Sequence, residues 1–154
     1  MTVGAVPRSV ASGRGEGRTI PRPQTGGVVT IKVSSELSDG SMTVYESSRG
    51  PSDKRGPGMH AHPGFDEMFY VLEGEYEFTL AERSVRAPEG TSVFIPRGTF
   101  HDFHSTGEAA GRLLTFCTPG GIEDFFEDLA EATPDGRDKE VQAIEQKHGF
   151  RFVH

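Results

Sequence analysis

The chain has 154 residues, which sets one domain with a modest core as the expectation. Its formal net charge of −7 and pI near 5.3 exclude a nucleic-acid surface built on clustered Lys and Arg, and disfavour anionic membranes. Cys117 is the single cysteine, so no internal disulfide forms and the composition fits a reducing cytoplasm, while no apolar run approaches the roughly 18 residues of a membrane span.

Residues 1 to 27 carry six glycines, with Pro7, Pro21 and Pro23 among Arg8, Arg14, Arg18 and Arg22, and have neither a hydrophobic period nor the apolar block of a signal peptide. They read as a flexible N-terminal arm, ordered at most in part along a neighbouring strand or subunit. From Val28 to Thr118 short β-rich runs alternate with Gly, Pro, Asp and Ser. Strands are predicted at Val28 to Val33, Met42 to Glu46, Met68 to Leu72, Tyr76 to Leu80, Ser92 to Ile95, His101 to Ser105 and Leu113 to Cys117. So many short strands with regular turns predict a mainly β sandwich or barrel over residues 28–118.

Residues 119–154 change to helical grammar. After Pro119-Gly120-Gly121, the residues Ile122, Phe125, Phe126 and Leu129 recur at helical spacing, with Glu123 and Asp124 in the first turn where the helix dipole favours them. A second helix is predicted to open near Thr133-Pro134, carry Val141 and Ile144, and stop at Gly149. Phe150 to Val153 alternate as a short final strand would. The acidic residues Glu123, Asp124, Glu127, Asp128, Glu131, Asp135, Asp138, Glu140 and Glu145 read as solvated helix faces and not as a second cation site.

Strand periodicity sorts the candidate site residues. Alternate side chains share a face, so His60 pairs with His62, and Glu67 with Phe69 and Val71. His101 shares a face with Phe103, whereas Asp102 and His104 face the other way, which removes His104 from a common site. Singly, each histidine is better explained by a surface or hydrogen-bonded role than as a ligand. Together, three imidazoles and one carboxylate suit divalent iron, manganese, cobalt, nickel, copper or zinc and leave coordination places open. Cys117 reads as a small buried hydrophobe, and His148 and His154 receive no role.

The surrounding pattern adds a resemblance. His60-x-His62, four residues, Glu67, six residues and Gly74 resembles the first cupin motif; Gly90, five residues, Pro96, one residue, Gly98, two residues and His101 resembles the second. The fifteen residues between Gly74 and Gly90 are similar to the spacing of small single-domain bacterial cupins. Pro119-Gly120-Gly121 and the Phe125-Phe126 helix resemble the tail of the quercetin-dioxygenase-like group. Two positions depart from the pattern: Lys54 stands where the family has a glycine, and Ser105 where the second motif usually ends in asparagine.

The resemblance implies a cupin β-barrel, a double-stranded β-helix or jelly roll, with one or two C-terminal helices. It implies a metal held by His60, His62, Glu67 and His101. The reaction it suggests is a dioxygenase acting on a flavonol, enol or phenol, with O2 as co-substrate, Glu67 as base and Phe69, Val71, Phe78 and Phe103 as pocket wall. The alternatives are an oxygen-independent cyclase, isomerase or decarboxylase of a polyketide-like or keto-acid intermediate, and a non-catalytic binding barrel. A homodimer is expected, with residues 18–33 as a candidate exchanged segment.

Overall fold

The computed structural model describes residues 8–50, 55–132 and 139–153. In chain order the strands are β1 (Arg18–Arg22), β2 (Gly27–Val33), β3 (Thr43–Arg49), β4 (His60–Ala61), β5 (Asp66–Glu73), β6 (Glu75–Leu80), β7 (Ser84–Pro88), β8 (Ser92–Ile95), β9 (His101–Ser105), β10 (Gly111–Thr118) and β11 (Arg151–Phe152). Two helices, α1 (Ile122–Glu131) and α2 (Lys139–Lys147), separate β10 from β11. A six-stranded sheet in the order β1-β2-β3-β10-β5-β8 faces a five-stranded sheet in the order β11-β4-β9-β6-β7. The architecture is thus mainly β with C-terminal helices, as predicted.

All seven predicted strands are present, most of them longer by one to three residues, because alternation weakens where a strand end meets solvent. Met42 is the exception at the other side, exposed and outside β3. Strands β4 and β7 escaped prediction for different reasons. Two residues cannot display a period in β4, and β7 ends in Pro88 and buries only Ala87 fully. Within the stretch predicted as an arm, Arg18–Arg22 pairs with β2, and Ile20 is buried beneath it. A single apolar side chain facing the core is too weak a signal to lift this strand out of its Gly and Pro context.

Burial follows the predicted faces. Tyr76 and Phe78 are buried while Glu75, Glu77 and Thr79 lie on the other side of β6, and His101, Phe103 and Ser105 face inward from β9. One core cluster joins Phe69, Val71, Tyr76, Phe78, Phe103 and Leu113 between the sheets, with the Phe69, Phe78 and Phe103 rings 4.8–5.5 Å apart. Full burial of each such ring contributes about 1.5–3 kcal/mol. A second cluster joins Ile20, Val29, Ile31, Tyr45 and Cys117 to Ile122, Phe125, Phe126 and Leu129 of α1. The apolar stripe of α1 therefore covers one end of the sandwich. The predicted start of the second helix at Thr133-Pro134 lies outside the described residues, and α2 is present from Lys139.

Turns set the strand ends that bear on the site. Gly74, the one residue between β5 and β6, has φ +79, and a Cβ there would meet the Ala110 carbonyl oxygen at 2.8 Å. Both facts require glycine. Pro96 follows β8 directly, and Gly98 at φ +80 turns the chain toward His101.

Candidate metal centre

Register brings the site residues together. In the five-stranded sheet, His60 of β4 pairs directly with His101 of β9. In the six-stranded sheet, Glu67 of β5 pairs with Cys117 of β10 and faces inward. His62 follows β4, its ring stacked on Phe65 at 4.0 Å. The nitrogens of His60, His62 and His101 lie within 4.8 Å of one another, and all three side chains are buried.

Each imidazole is oriented by a backbone carbonyl. Nδ1 of His60 lies 2.7 Å from the Gly58 oxygen, Nδ1 of His101 lies 2.8 Å from the Thr99 oxygen, and Nδ1 of His62 lies 3.2 Å from the Phe65 oxygen. A carbonyl only accepts, so each Nδ1 carries the proton and each Nε2 is left for the interior. This is the arrangement that metal-ligating histidines use to fix tautomer and ring plane. Nε2 of His101 is sealed from solvent and, among the described residues, makes no hydrogen bond of good geometry, with Glu67 Oε2 3.4 Å away, so a cation would satisfy it. Burial, and then the neighbouring His101, lowers His60 to about 4, so its ring is neutral at pH 7 as a ligand must be.

Glu67 bridges two environments. Its Oε2 lies 2.8 Å from His62 Nε2 and 3.4 Å from His101 Nε2. Burial pushes the carboxyl up, but the imidazoles of His101 and His62 outweigh it and hold the group at about 2. The 2.8 Å spacing to His62 needs a proton between the two atoms, and a bound cation would take that proton's place. Oε1 accepts from the Tyr45 hydroxyl at 3.3 Å and from the Cys117 thiol at 3.7 Å. Burial, and then the charge of Glu67, raises both Tyr45 and Cys117, so both stay protonated donors. The donor set fits a divalent first-row ion held by three imidazoles with the carboxylate beside them.

A cavity of about 220 Å³ opens beside these residues, lined by His60, His62, Glu67, Tyr45 and Phe103 and by the aromatic residues Phe125, Phe126, Phe150 and Phe152. Arg22, Gln24 and Glu145 add polar groups to its wall. This corrects the predicted pocket wall. Phe103 lines the cavity, but Phe69, Val71 and Phe78 do not, because they fill the space between the sheets and are at most 1% exposed. The residues that replace them come from the C-terminal segment, which strand alternation could not assign to the barrel. Two acidic residues also depart from the solvated-face reading: Glu123 is buried, and Glu145 reaches the cavity. His104 lies on the outer face of β9, as predicted. His148 meets Asp128 at 2.6 Å between the two helices, and His154 lies outside the described residues.

Residues 50–117 match the family model for the cupin domain. That match spans less than half of the chain, and over it the barrel is similar to a cupin domain. An uncharacterized protein of Streptomyces coelicolor is 29% identical over 79 residues, covering 51% of this chain and 70% of that protein. Among solved structures, a predicted oxalate decarboxylase from Thermotoga maritima superposes with a TM-score of 0.59 at 22% identity, covering 73% of this chain and 99% of its own. KdgF from a Halomonas species gives 0.56 at 16% identity, over 64% of this chain and 84% of the other. A sugar phosphate isomerase from Silicibacter pomeroyi gives 0.53 at 18% identity, over 64% of each chain. At these identities the likeness establishes the cupin fold, and the reaction must be argued from the site.

Proposed function

We propose that this protein of cupin fold is a mononuclear metal-dependent enzyme, a dioxygenase of the quercetin-dioxygenase-like type acting on an enol or phenol. The observation that carries the reading is the convergence of three carbonyl-oriented imidazoles and the Glu67 carboxylate, with His60, His62 and Glu67 in the wall of an aromatic cavity. A divalent transition ion bound there would supply positive charge to a substrate oxyanion and, if redox-active, a path for electrons to O2. The side chains supply the remainder. Phe103, Phe126, Phe150 and Phe152 exclude water and hold an apolar ring. Glu67 Oε2 faces the site as the acceptor for the substrate hydroxyl proton, and Tyr45 and Cys117 keep Oε1 turned away. The cavity is below the roughly 300–1,000 Å³ of sites for drug-sized ligands, which favours a one-ring enol or phenol over a three-ring flavonol.

A second reading keeps the ion and dispenses with oxygen, in an isomerisation, cyclisation or decarboxylation of a keto acid. The guanidinium of Arg22 in the same cavity wall favours it, since an acid substrate needs a cation. The test begins with metal analysis of protein loaded separately with iron, manganese, cobalt, nickel, copper and zinc. We expect about one ion per chain, the stoichiometry of a mononuclear site, and near-complete loss in His60→Ala and His101→Ala. Unchanged metal in both variants would overturn the centre. Oxygen uptake with diketones, catechols and other one-ring enols then decides the reaction. Uptake with no metal form would remove the dioxygenase, and turnover under strict anaerobiosis would select the second reading.

A further inference from the structure

Arg22, the last residue of β1, and Gln24, in the turn that follows, enter the cavity wall from outside the region matched to the cupin family model. The backbone there is fixed: the amides of Thr25 and Gly26 both donate to the Arg22 carbonyl, at 3.1 and 2.9 Å. The Arg22 guanidinium lies over the Phe126 ring, 5.3 Å from its centroid. Arg22 as a residue is half-buried, yet its Nε is sealed from solvent and has no hydrogen-bond partner among the described residues. Among the described residues no carboxylate pairs with Arg22, while Arg49 adds a like charge nearby and Glu145 makes interactions of its own. Gln24 complements it. Its Nε2 donates to the Leu129 carbonyl at 2.7 Å, which fixes the amide and leaves Oε1 as a buried acceptor without a donor among the described residues.

A permanent cation with an unfilled donor, beside an unfilled acceptor and aromatic rings, asks for a ligand with one negative charge on an apolar body. The planar guanidinium matches a carboxylate through two parallel N–H bonds. We propose that Arg22 is the carboxylate-binding residue of this cavity and that its ligand is a small, single-ring carboxylic acid. The Gln24 acceptor suits a hydroxyl on the same molecule. This names the substrate class for the function proposed above and rests on that reading for its chemistry, whereas the binding step itself needs no metal.

The test therefore uses chelator-treated full-length protein and isothermal titration with 3-phenylpropionate and its neutral amide. We expect the acid to bind at least about tenfold more tightly than the amide, as a charge-assisted pair should. Arg22→Gln should weaken the acid at least about tenfold and leave the amide within about twofold, which also shows that the cavity is intact. If Arg22→Gln loses amide binding too, Arg22→Lys decides: the proposal requires acid binding weaker than in the parent but still tighter than amide binding. Equal affinity for acid and amide in the parent, no acid binding up to about 10 mM, or acid affinity unchanged in both variants would overturn it. Failure of the metal centre would show separately, as absent metal in a protein that still prefers the acid.

Discussion

Glu67 keeps different company at each oxygen, and Tyr45 is the residue that makes the difference. Oε2 faces His62 and His101, whereas Oε1 accepts from the Tyr45 hydroxyl at 3.3 Å. A hydroxyl held there restricts rotation of the carboxylate and tunes its basicity, as outer partners of metal sites do. Tyr45→Phe removes that donor but keeps the ring, whose edge contact with Phe126 at 5.0 Å preserves the packing. We expect metal affinity to fall about tenfold, the low end for loss of an outer-shell partner, with the melting temperature of the metal-free protein nearly unchanged. Competition with a chelating indicator measures it, and equal affinities would reduce Tyr45 to a packing role. No sequence signal pointed to Tyr45. Its neighbour across the sheet is Thr115, two residues before Cys117, which pairs with Glu67, so the connection runs through register on β10 between positions far apart in the chain. The three histidines were legible because each motif carries its ligands and turn glycines within a dozen residues or so.

Between elements, the attachment of α1 to the sandwich shows what periodicity reveals and what it hides. The stripe of Ile122, Phe125, Phe126 and Leu129 is visible as a 3.6-residue repeat, and it is the face that packs. Glu123 in the same turn reads as a dipole partner, yet it is 3% exposed. Its Oε1 accepts from the Ser35 amide and hydroxyl, both at 2.6 Å, and its Oε2 accepts from the Thr43 hydroxyl at 2.5 Å. Burial raises the carboxyl and these bonds outweigh it, so the group lies below its usual range. One carboxylate thus ties the segment after β2, the start of β3 and the start of α1. Glu123→Gln puts an amide NH2 where the Ser35 or Thr43 donors need an acceptor. Loss of charge-assisted bonds in a buried place costs about 1–3 kcal/mol, and a melting temperature lower by about 3–8 °C is expected for a chain of this length. A shift below about 1 °C would mean that apolar packing alone seats α1. The cavity wall that α1 helps to build was hidden for a related reason, since Phe125 and Phe126 announce a buried helix face without saying what they bury against.

Over the whole molecule, the site imposes a pH dependence on stability whose sign follows from two buried groups. His60 titrates at about 4 in the folded chain against an ordinary 6.5, because burial and the neighbouring His101 disfavour the imidazolium. The unfolded chain therefore binds more protons between those values, so the stability held above pH 6.5 is lost as pH falls through about 4. Glu67, at about 2 against an ordinary 4.5, acts in the same direction in the next window: its contribution is present above pH 4.5 and lost as pH falls through about 2. Chelator-treated protein should show a urea midpoint that is level above pH 7 and declines steadily below pH 6.5. The His60 part amounts to about 3 kcal/mol over its window, at 1.36 kcal/mol per pKa unit. His60→Phe isolates it. The new ring can stack on Phe152, as His60 does at 5.0 Å, and has nothing to protonate. Its urea midpoint should stay level from pH 7 to about 5, where the parent declines, at the cost of the first metal ligand. Parallel curves for the two proteins across that range would show that acid sensitivity arises elsewhere in the chain. A divergence confined to that range would locate it in the same imidazole whose neutral form the centre requires.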